Sequence, residues 1–356
     1  MNSFGEKFRI TVFGESHGVV VGITIDGVPA GIELKESDFA EDIARRKSGV
    51  KGTTARMEQD KPLIVSGVYN GRTTGTPVTV IFRNENKVSA DYSQFVNQPR
   101  PGHADWSARV RYDGYNDPRG GGQFSGRMTL PLVAAGVVAK KTLASYGEIS
   151  IDAAVGIFGG IPMEECTDPD GEADYVGYAA YEDEKLPKEW KNALDRVIKE
   201  GDSLGGEVFC SVSGMPAGIG EPFFDGVESL ISHAVFSIPG VRAIEFGDGI
   251  MAAFQKGSEH NDAFGKDMKP VSNHSGGING GITNGADINF GVVFKPTSSI
   301  AKLQKTYDMQ AKAVKPLGIK GRHDAAFVLR TPVIVEAMTA IVLADLILTK
   351  ICFYNS

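Results

Sequence analysis

Apolar and polar residues alternate along "VGITIDGVPAGIE" (21–33), and the alternation stops at a G-x-P-A-G-I turn; "VFCSVSGMPAGIGE" (208–221) repeats both features. Each stretch runs on into helical spacing. In "ESDFAEDIARRK" the apolar Phe39, Ala40, Ile43 and Ala44 share a face and Ser37 is the expected cap, while in "FDGVESLISHAVFSI" Asp225 takes the capping place. A second pair, "GRTTGTPVTVIFRN" (71–84) and "GITNGADINFGVVFK" (281–295), follows in the same order, which predicts duplicated strand-helix-strand units. Two segments, 130–147 and 332–348, are apolar nearly all round and read as helices buried between sheets. The amphipathic "LPKEWKNALDRVIKEG" is a surface helix bounded by Pro187 and Gly201, and the acidic stretch before it reads as a solvated excursion. Strands that alternate and join through short Gly/Pro turns favour antiparallel pairing. The expected fold is therefore α+β, a layered sandwich of antiparallel sheets around central helices. The expected organisation is a single domain over 1–356, with duplicated halves at about 1–160 and 205–356 and the acidic excursion with its helix at about 164–201.

Composition narrows the class. With 42% hydrophobic and 23% charged residues in 356, the chain has the make-up of a globular protein able to bury a large core. Its 44 glycines exceed the usual share of roughly 7% and fall in clusters, which implies many turns and loops that approach a ligand closely. A net charge of −7 argues against nucleic acid or an anionic membrane as partner, so any anion site is local. Cys166, Cys210 and Cys352 form no CxxC, and no His/Cys ligand spacing is present, which points to a reducing compartment and no structural zinc. The start "MNSFGEKFRI" lacks an apolar signal core, and the run from Val333 to Leu348 is short and carries Glu336 and Asp345, so a cytoplasmic protein is expected.

The most unusual stretch is "PRGGGQFSGRMT" (118–129), three glycines between two arginines. It completes neither a P-loop nor G-x-G-x-x-G, but bare amides ahead of a buried helix can hold an anion. Arg100, Arg109, Arg111, Arg119 and Arg127 crowd the same region, and guanidinium forks bind phosphate or carboxylate at two points. Further basic or hydroxyl-rich loops are "ARRKSGVKG", "KPTSS" (295–299), "SGGINGGITNG" and "GRHD" (321–324). "GESHG" (14–18) fits the nucleophile elbow of serine hydrolases, yet strands on both sides of Ser16 give the wrong context. His17 and His103 stand in Gly-flanked turns where an imidazole can move a proton. His233 and His260 read as structural or solvated, and His274 is open to either reading.

Six spaced stretches, "FGESHG", "RPGHAD", "GGGQFSGRMT", "GGINGGITNG", "FKPTSSI" and "GRHD", resemble chorismate synthase, in order and across nearly the whole chain. The resemblance implies a homotetramer that converts 5-enolpyruvylshikimate 3-phosphate to chorismate by 1,4-loss of phosphate and a ring hydrogen. It also implies a need for reduced FMN without net oxidation. No neighbouring group acidifies that hydrogen, and the electron density of a reduced flavin lowers a barrier that a simple base leaves high. On the matched positions His17 would protonate the departing phosphate, His103 would set the protonation of the reduced flavin, and Asp324 would help a flavin nitrogen act as base. Ser16 and Ser125 match site serines. Arg46, Lys51, Arg127 and Arg322 would hold the anionic groups of substrate or flavin. Flavin contacts map to Gln123, Phe124, Ser125, Pro239, Gly240, Gly280, Lys295, Pro296, Thr297, Ser298, Ser299 and Arg322. Many family members carry arginine where Gln123 stands and glutamate where Met128 stands, so one flavin contact here is neutral and a nearby charge pair is absent. Some relatives reduce their own flavin; for this chain an external flavin reductase is expected, and turnover on NADPH alone is not. The alternative is a non-catalytic flavin or anion-binding protein on the same scaffold, which would have no use for His17, His103 and Asp324 on three separate loops.

Overall fold

The computed structural model describes residues 1–49, 51–54, 58–85, 89–166, 186–266, 268–319 and 323–354. The first half runs β1 (Ser3–Phe4), β2 (Arg9–Gly14), β3 (Val20–Asp26), α1 (Ala40–Arg46), β4 (Leu63–Ser66), the hairpin β5 (Val68–Tyr69) and β6 (Arg72–Thr73), β7 (Val78–Arg83), α2 (Asp105–Arg111) and α3 (Thr129–Leu143). The second runs β8 (Ser150–Phe158), β9 (Ile161–Pro162), α4 (Lys188–Glu200), β10 (Gly206–Ser213), α5 (Val227–Val235), β11 (Val241–Phe246) and α6 (Gly257–His260). It continues through the hairpin β12 (Ile278–Asn279) and β13 (Ile282–Thr283), β14 (Ile288–Phe294), the hairpin β15 (Gln304–Asp308) and β16 (Ala313–Leu317), and α7 (Pro332–Tyr354).

Two five-stranded sheets, ordered β1-β2-β3-β7-β4 and β11-β14-β10-β8-β9, pair antiparallel throughout. The alternation read in the sequence becomes their inward face: Val21, Ile23 and Ile25 of β3, and Val208, Cys210 and Val212 of β10, are buried. The helices α3 and α7 lie against each other between the sheets, α3 on β3 and β7, α7 on β8 and β10. Gly136 of α3 lets the backbone of α7 come up against it at Ala337, where a side chain would clash.

The two halves share more than a layout. The cores of the sheets, β2-β3-β7-β4 and β8-β10-β14-β11, place four strands in the same chain order, each with a two-residue hairpin before the last strand. The G-x-P-A-G-I turns are tied identically. Thr73 Oγ1 donates to Pro29 O at 2.6 Å and accepts from Ile32 N at 2.9 Å; Thr283 Oγ1 donates to Pro216 O at 2.7 Å and accepts from Ile219 N at 2.9 Å.

By length and composition α7 would cross a membrane, with a mean hydropathy of 1.9, but 94% of that window is buried inside the protein. Its two carboxylates are anchors. Glu336 takes Arg45 and Lys140, and Asp345 accepts the amides of Glu6, Lys7 and Phe8, which pins the N-terminus to the core. The two expected caps are corrected by the structure. Ser37 falls inside a 3₁₀ turn (Glu36–Phe39) that carries the chain into α1, and Gly226 takes the capping position of α5 after a 3₁₀ turn that absorbs Asp225; Val227 N is satisfied by Gly281 O at 2.9 Å. A tertiary carbonyl there replaces the side-chain cap. The surface helix α4 does follow Pro187 and end on Gly201, in the left-handed conformation.

Candidate active site

Loops from both halves line one cavity of about 540 Å³. Gly120, Gly121 and Gly122 all have positive φ (61°, 82° and 54°), and a side chain at Gly120 or Gly122 would also clash with its surroundings. A Cβ on Gly120 would stand 2.7 Å from His17 Nε2 and 2.8 Å from Ser16 Oγ; one on Gly121 would stand 3.6 Å from His103 Nε2. The bare backbone therefore runs between two imidazoles. Ser16, His103 and Gly120 line the cavity. His17 is buried beside it, against Gly120 and edge-on to Tyr92 with ring centroids 5.2 Å apart. Of the three glycine amides expected to cradle an anion, Gly121 N is used within the turn, donating to Pro118 O at 3.3 Å. Ser125 caps the turn leading to α3, accepting from Arg127 N at 3.2 Å, and also lines the cavity.

His103 belongs to an ion pair. Arg100 donates twice to Asp105, through Nε to Oδ2 and Nη2 to Oδ1, both at 2.8 Å, and His103 Nδ1 lies 2.7 Å from Asp105 Oδ1. Burial pushes the Asp105 carboxyl up, but hydrogen bonds from Arg100 and His103 outweigh it and hold the group well below the usual carboxylate range. An ionised carboxylate fixes the Nδ1–H tautomer and leaves Nε2 for the cavity. Lys295 Nζ and Ser298 Oγ both donate to Gly102 O, at 3.0 and 2.7 Å, and Arg100 Nη1 donates to Ser299 at 2.9 Å, so the 295–299 loop clasps the turn bearing His103.

A second cluster is more cationic. Arg46, Arg127 and Arg330 are all buried. Asp60 takes Arg127 and, at 3.0 Å, Arg46; Asp324 takes Arg330 at 2.7 Å and the Thr54 amide at 2.7 Å. Burial opposes ionisation of Asp60, but Arg46 and Arg127 prevail and lower its pKa. Burial pulls the Arg46 guanidinium down to about 10; Asp60 resists this, and Arg330 and Arg127 add to it. Three guanidiniums against two carboxylates leave one positive charge in surplus. Arg46 Nε, Arg127 Nη2, Arg330 Nε and Thr297 Oγ1 are buried without a hydrogen-bond partner, and all four residues line the cavity. Such donors cost stability unless an acceptor meets them.

Of the residues expected at the site, Ser16, Arg46, His103, Gln123, Phe124, Ser125, Arg127, Pro239, Gly240, Lys295, Pro296, Thr297, Ser298, Ser299 and Asp324 line this cavity. Lys51 does not: its Nζ pairs with Asp195 of α4 at 2.5 Å on the surface. Gly280 does not either, standing in the β12–β13 turn with nothing within 4 Å of its Cβ direction. Arg322 lies outside the described residues. Among the crowded arginines, Arg119 pairs with Asp117 in solvent and Arg109 donates to Val96 O, so their density overstated the site. Asp60, Arg330, Asp105 and Tyr92 were missed. Asp60 alone carried a signal, an acid in the polar run between two basic loops.

The chorismate synthase family model matches residues 8–348. This chain belongs to the chorismate synthase family. A chorismate synthase of Chitinophaga pinensis is 50% identical over 351 residues, which cover 98% of this chain and 97% of that protein. One from Korarchaeum cryptofilum is 44% identical over 348 residues, 96% of each. A crystal structure of a chorismate synthase superposes with a TM-score of 0.71 at 26% identity, covering 98% of this chain and 93% of its own. The α+β sandwich of antiparallel sheets around helices is thus the fold of a chorismate synthase, and the family is one of enzymes.

Proposed function

We propose that this chain converts 5-enolpyruvylshikimate 3-phosphate to chorismate by 1,4-elimination of phosphate, acting as a carbon-oxygen lyase with reduced FMN. One observation carries the reading: in a member of this family, unpaired buried donors of Arg46, Arg127, Arg330 and Thr297 face the same cavity as His103 and Ser16. The residues fit both ligands. Phe124, Phe236, Ile238 and Phe327 line the cavity with apolar surface suited to a flat ring, and the orphan donors suit phosphate and carboxylate. When bound, a reduced flavin supplies electron density that makes loss of the unactivated ring hydrogen accessible.

The chain's own residues then bind, orient and move protons. Arg46, Arg127 and Arg330 hold the anionic groups in a preorganised field, which favours the charge that develops on phosphate as it leaves. Asp60 keeps two of these guanidiniums in place. His17, with Ser16 beside it across Gly120, is the group proposed to give a proton to the departing phosphate. His103, oriented by Asp105, is proposed to hold a proton at the opposite side of the glycine wall, where the flavin contacts of Gln123, Phe124 and Ser125 and of Pro239, Gly240 and 295–299 converge. Asp324, tied to Arg330 and the Thr54 amide, is the candidate helper of the base. Reduced flavin comes from an external reductase, and the protein works as a cytoplasmic homotetramer.

The test is anaerobic release of phosphate from the enolpyruvyl substrate with chemically reduced FMN. Release accompanied by diene absorbance supports the reading; equal release with oxidised FMN or with none overturns it.

A further inference from the structure

Beyond the cavity, Asp248 follows β11, His260 closes α6 and His274 precedes β12, and their side chains meet. One carboxylate oxygen, Asp248 Oδ2, lies 2.8 Å from His274 Nδ1 and 3.6 Å from His260 Nδ1. The three donor atoms all fall within 4.8 Å of one another. Zinc bonds of about 2.0–2.1 Å at tetrahedral angles set donor atoms roughly 3.3 Å apart, and the two measured edges bracket that length. Contacts other than those among the three ligand side chains hold this arrangement. Asp248 N donates to His274 O at 2.9 Å, and Asp262 fixes the 272–275 loop by accepting from Ser272 Oγ, His274 N and Ser275 N at 2.7 to 3.0 Å. The three side chains are 24 to 34% exposed, open enough for an ion to enter and keep a water.

We propose that Asp248, His260 and His274 form a binding site for a zinc-class divalent transition metal. Two imidazoles and one carboxylate suit Zn²⁺, Co²⁺, Ni²⁺ or Cu²⁺, whereas Mg²⁺ and Ca²⁺ take oxygen donors. Gln255, at 2.9 Å from His260 Nδ1 and 2.7 Å from Asp248 Oδ2, bridges the ligand atoms themselves, so it must turn aside as the ion takes their lone pairs. The ion ties the end of β11 to α6 and to the loop entering β12. The site takes no part in the elimination. Its positions are 12 and 14 residues apart (248 to 260 to 274) with no compact motif, which is why the sequence reads as free of structural zinc.

Titration of the metal-free, full-length protein with ZnCl2, followed by calorimetry and by anomalous diffraction at the zinc edge, tests this. One ion per chain is expected at these residues, with no response to MgCl2. His260→Ala and His274→Ala should each weaken binding by more than about 100-fold, beyond the 10- to 100-fold typical of outer partners, whereas Gln255→Ala, which frees two ligand atoms, should not weaken it. Zinc should raise the melting temperature of the wild type and of neither histidine variant. No bound ion in the wild type, or undiminished binding in both histidine variants, overturns the proposal. The second result would place any bound zinc elsewhere, and His260→Ala answers the question alone if His274→Ala fails to fold.

Discussion

Arg46, Arg127 and Arg330 share two carboxylates, whereas Arg100 and His103 share one, and both groups border the same cavity. In the first cluster the positive charge is in surplus and buried donors remain unmatched. In the second, Arg100 and Asp105 cancel, and the imidazole is left as the group able to take or release a proton. The difference separates two tasks. On the proposed function, a surplus of rigid guanidiniums suits anion binding, while a balanced pair suits orienting an imidazole without competing for the anion.

The largest effect should come from unbalancing the first cluster. Asp60 has φ 52°, which asparagine tolerates, so Asp60→Asn removes charge with little backbone cost. With the pair buried, stability should drop by about 3–5 kcal/mol, read as a shift in denaturant midpoint. A loss below about 1 kcal/mol, the range of exposed pairs, would mean that Asp60 does not hold the guanidiniums. Next in size, His17→Ala and His103→Ala should each lower anaerobic turnover roughly 10- to 1000-fold while flavin binding survives, as general acid–base groups do. Wild-type rates in both would return the chain to a mere flavin or anion binder.

Acid separates the clusters further. Asp60 and Asp105 both sit below their ordinary range, so their stabilisation is fully present above about pH 4 and drains away as pH falls through the lowered folded values. Melting temperature followed from pH 5 downward should therefore fall less steeply in Asp60→Asn and in Asp105→Asn than in the wild type; parallel curves would remove these two groups from the account. The smallest effect belongs to Lys51→Ala. An exposed pair with Asp195 is worth at most about 1 kcal/mol, and substrate KM should not move. A rise in KM would bring Lys51 back to the anion site that the family resemblance suggests.

Much of this was legible along the chain. The echo of G-x-P-A-G-I marked two turns that Thr73 and Thr283 tie in the same way, and uninterrupted apolar runs foretold α3 and α7, because burial writes itself into local pattern. The glycine triplet and the histidine turns marked the cavity wall because close backbone approach demands residues without side chains. What escaped was non-local pairing. Asp60 is one acid in "EQDKPL" and Arg330 ends the apolar "FVLR"; only folding brings them to Arg46, 14 residues away in one case and 284 in the other. Arg119 misled for the converse reason, since its partner Asp117 stands only two residues away, which leaves the half-exposed guanidinium paired locally. The capping roles expected of Ser37 and Asp225 failed because 3₁₀ turns took up those residues before each helix began.

Bare backbone at Gly120 lets Ser16 line the cavity and His17 stand just behind it, where phosphate release is proposed. Anaerobic phosphate release by Gly120→Ala, with saturating reduced FMN, tests it most directly. A methyl there meets the His17 ring and Ser16 Oγ, so release should fall about as far as in His17→Ala while reduced FMN still binds. Release at the wild-type rate would contradict the account.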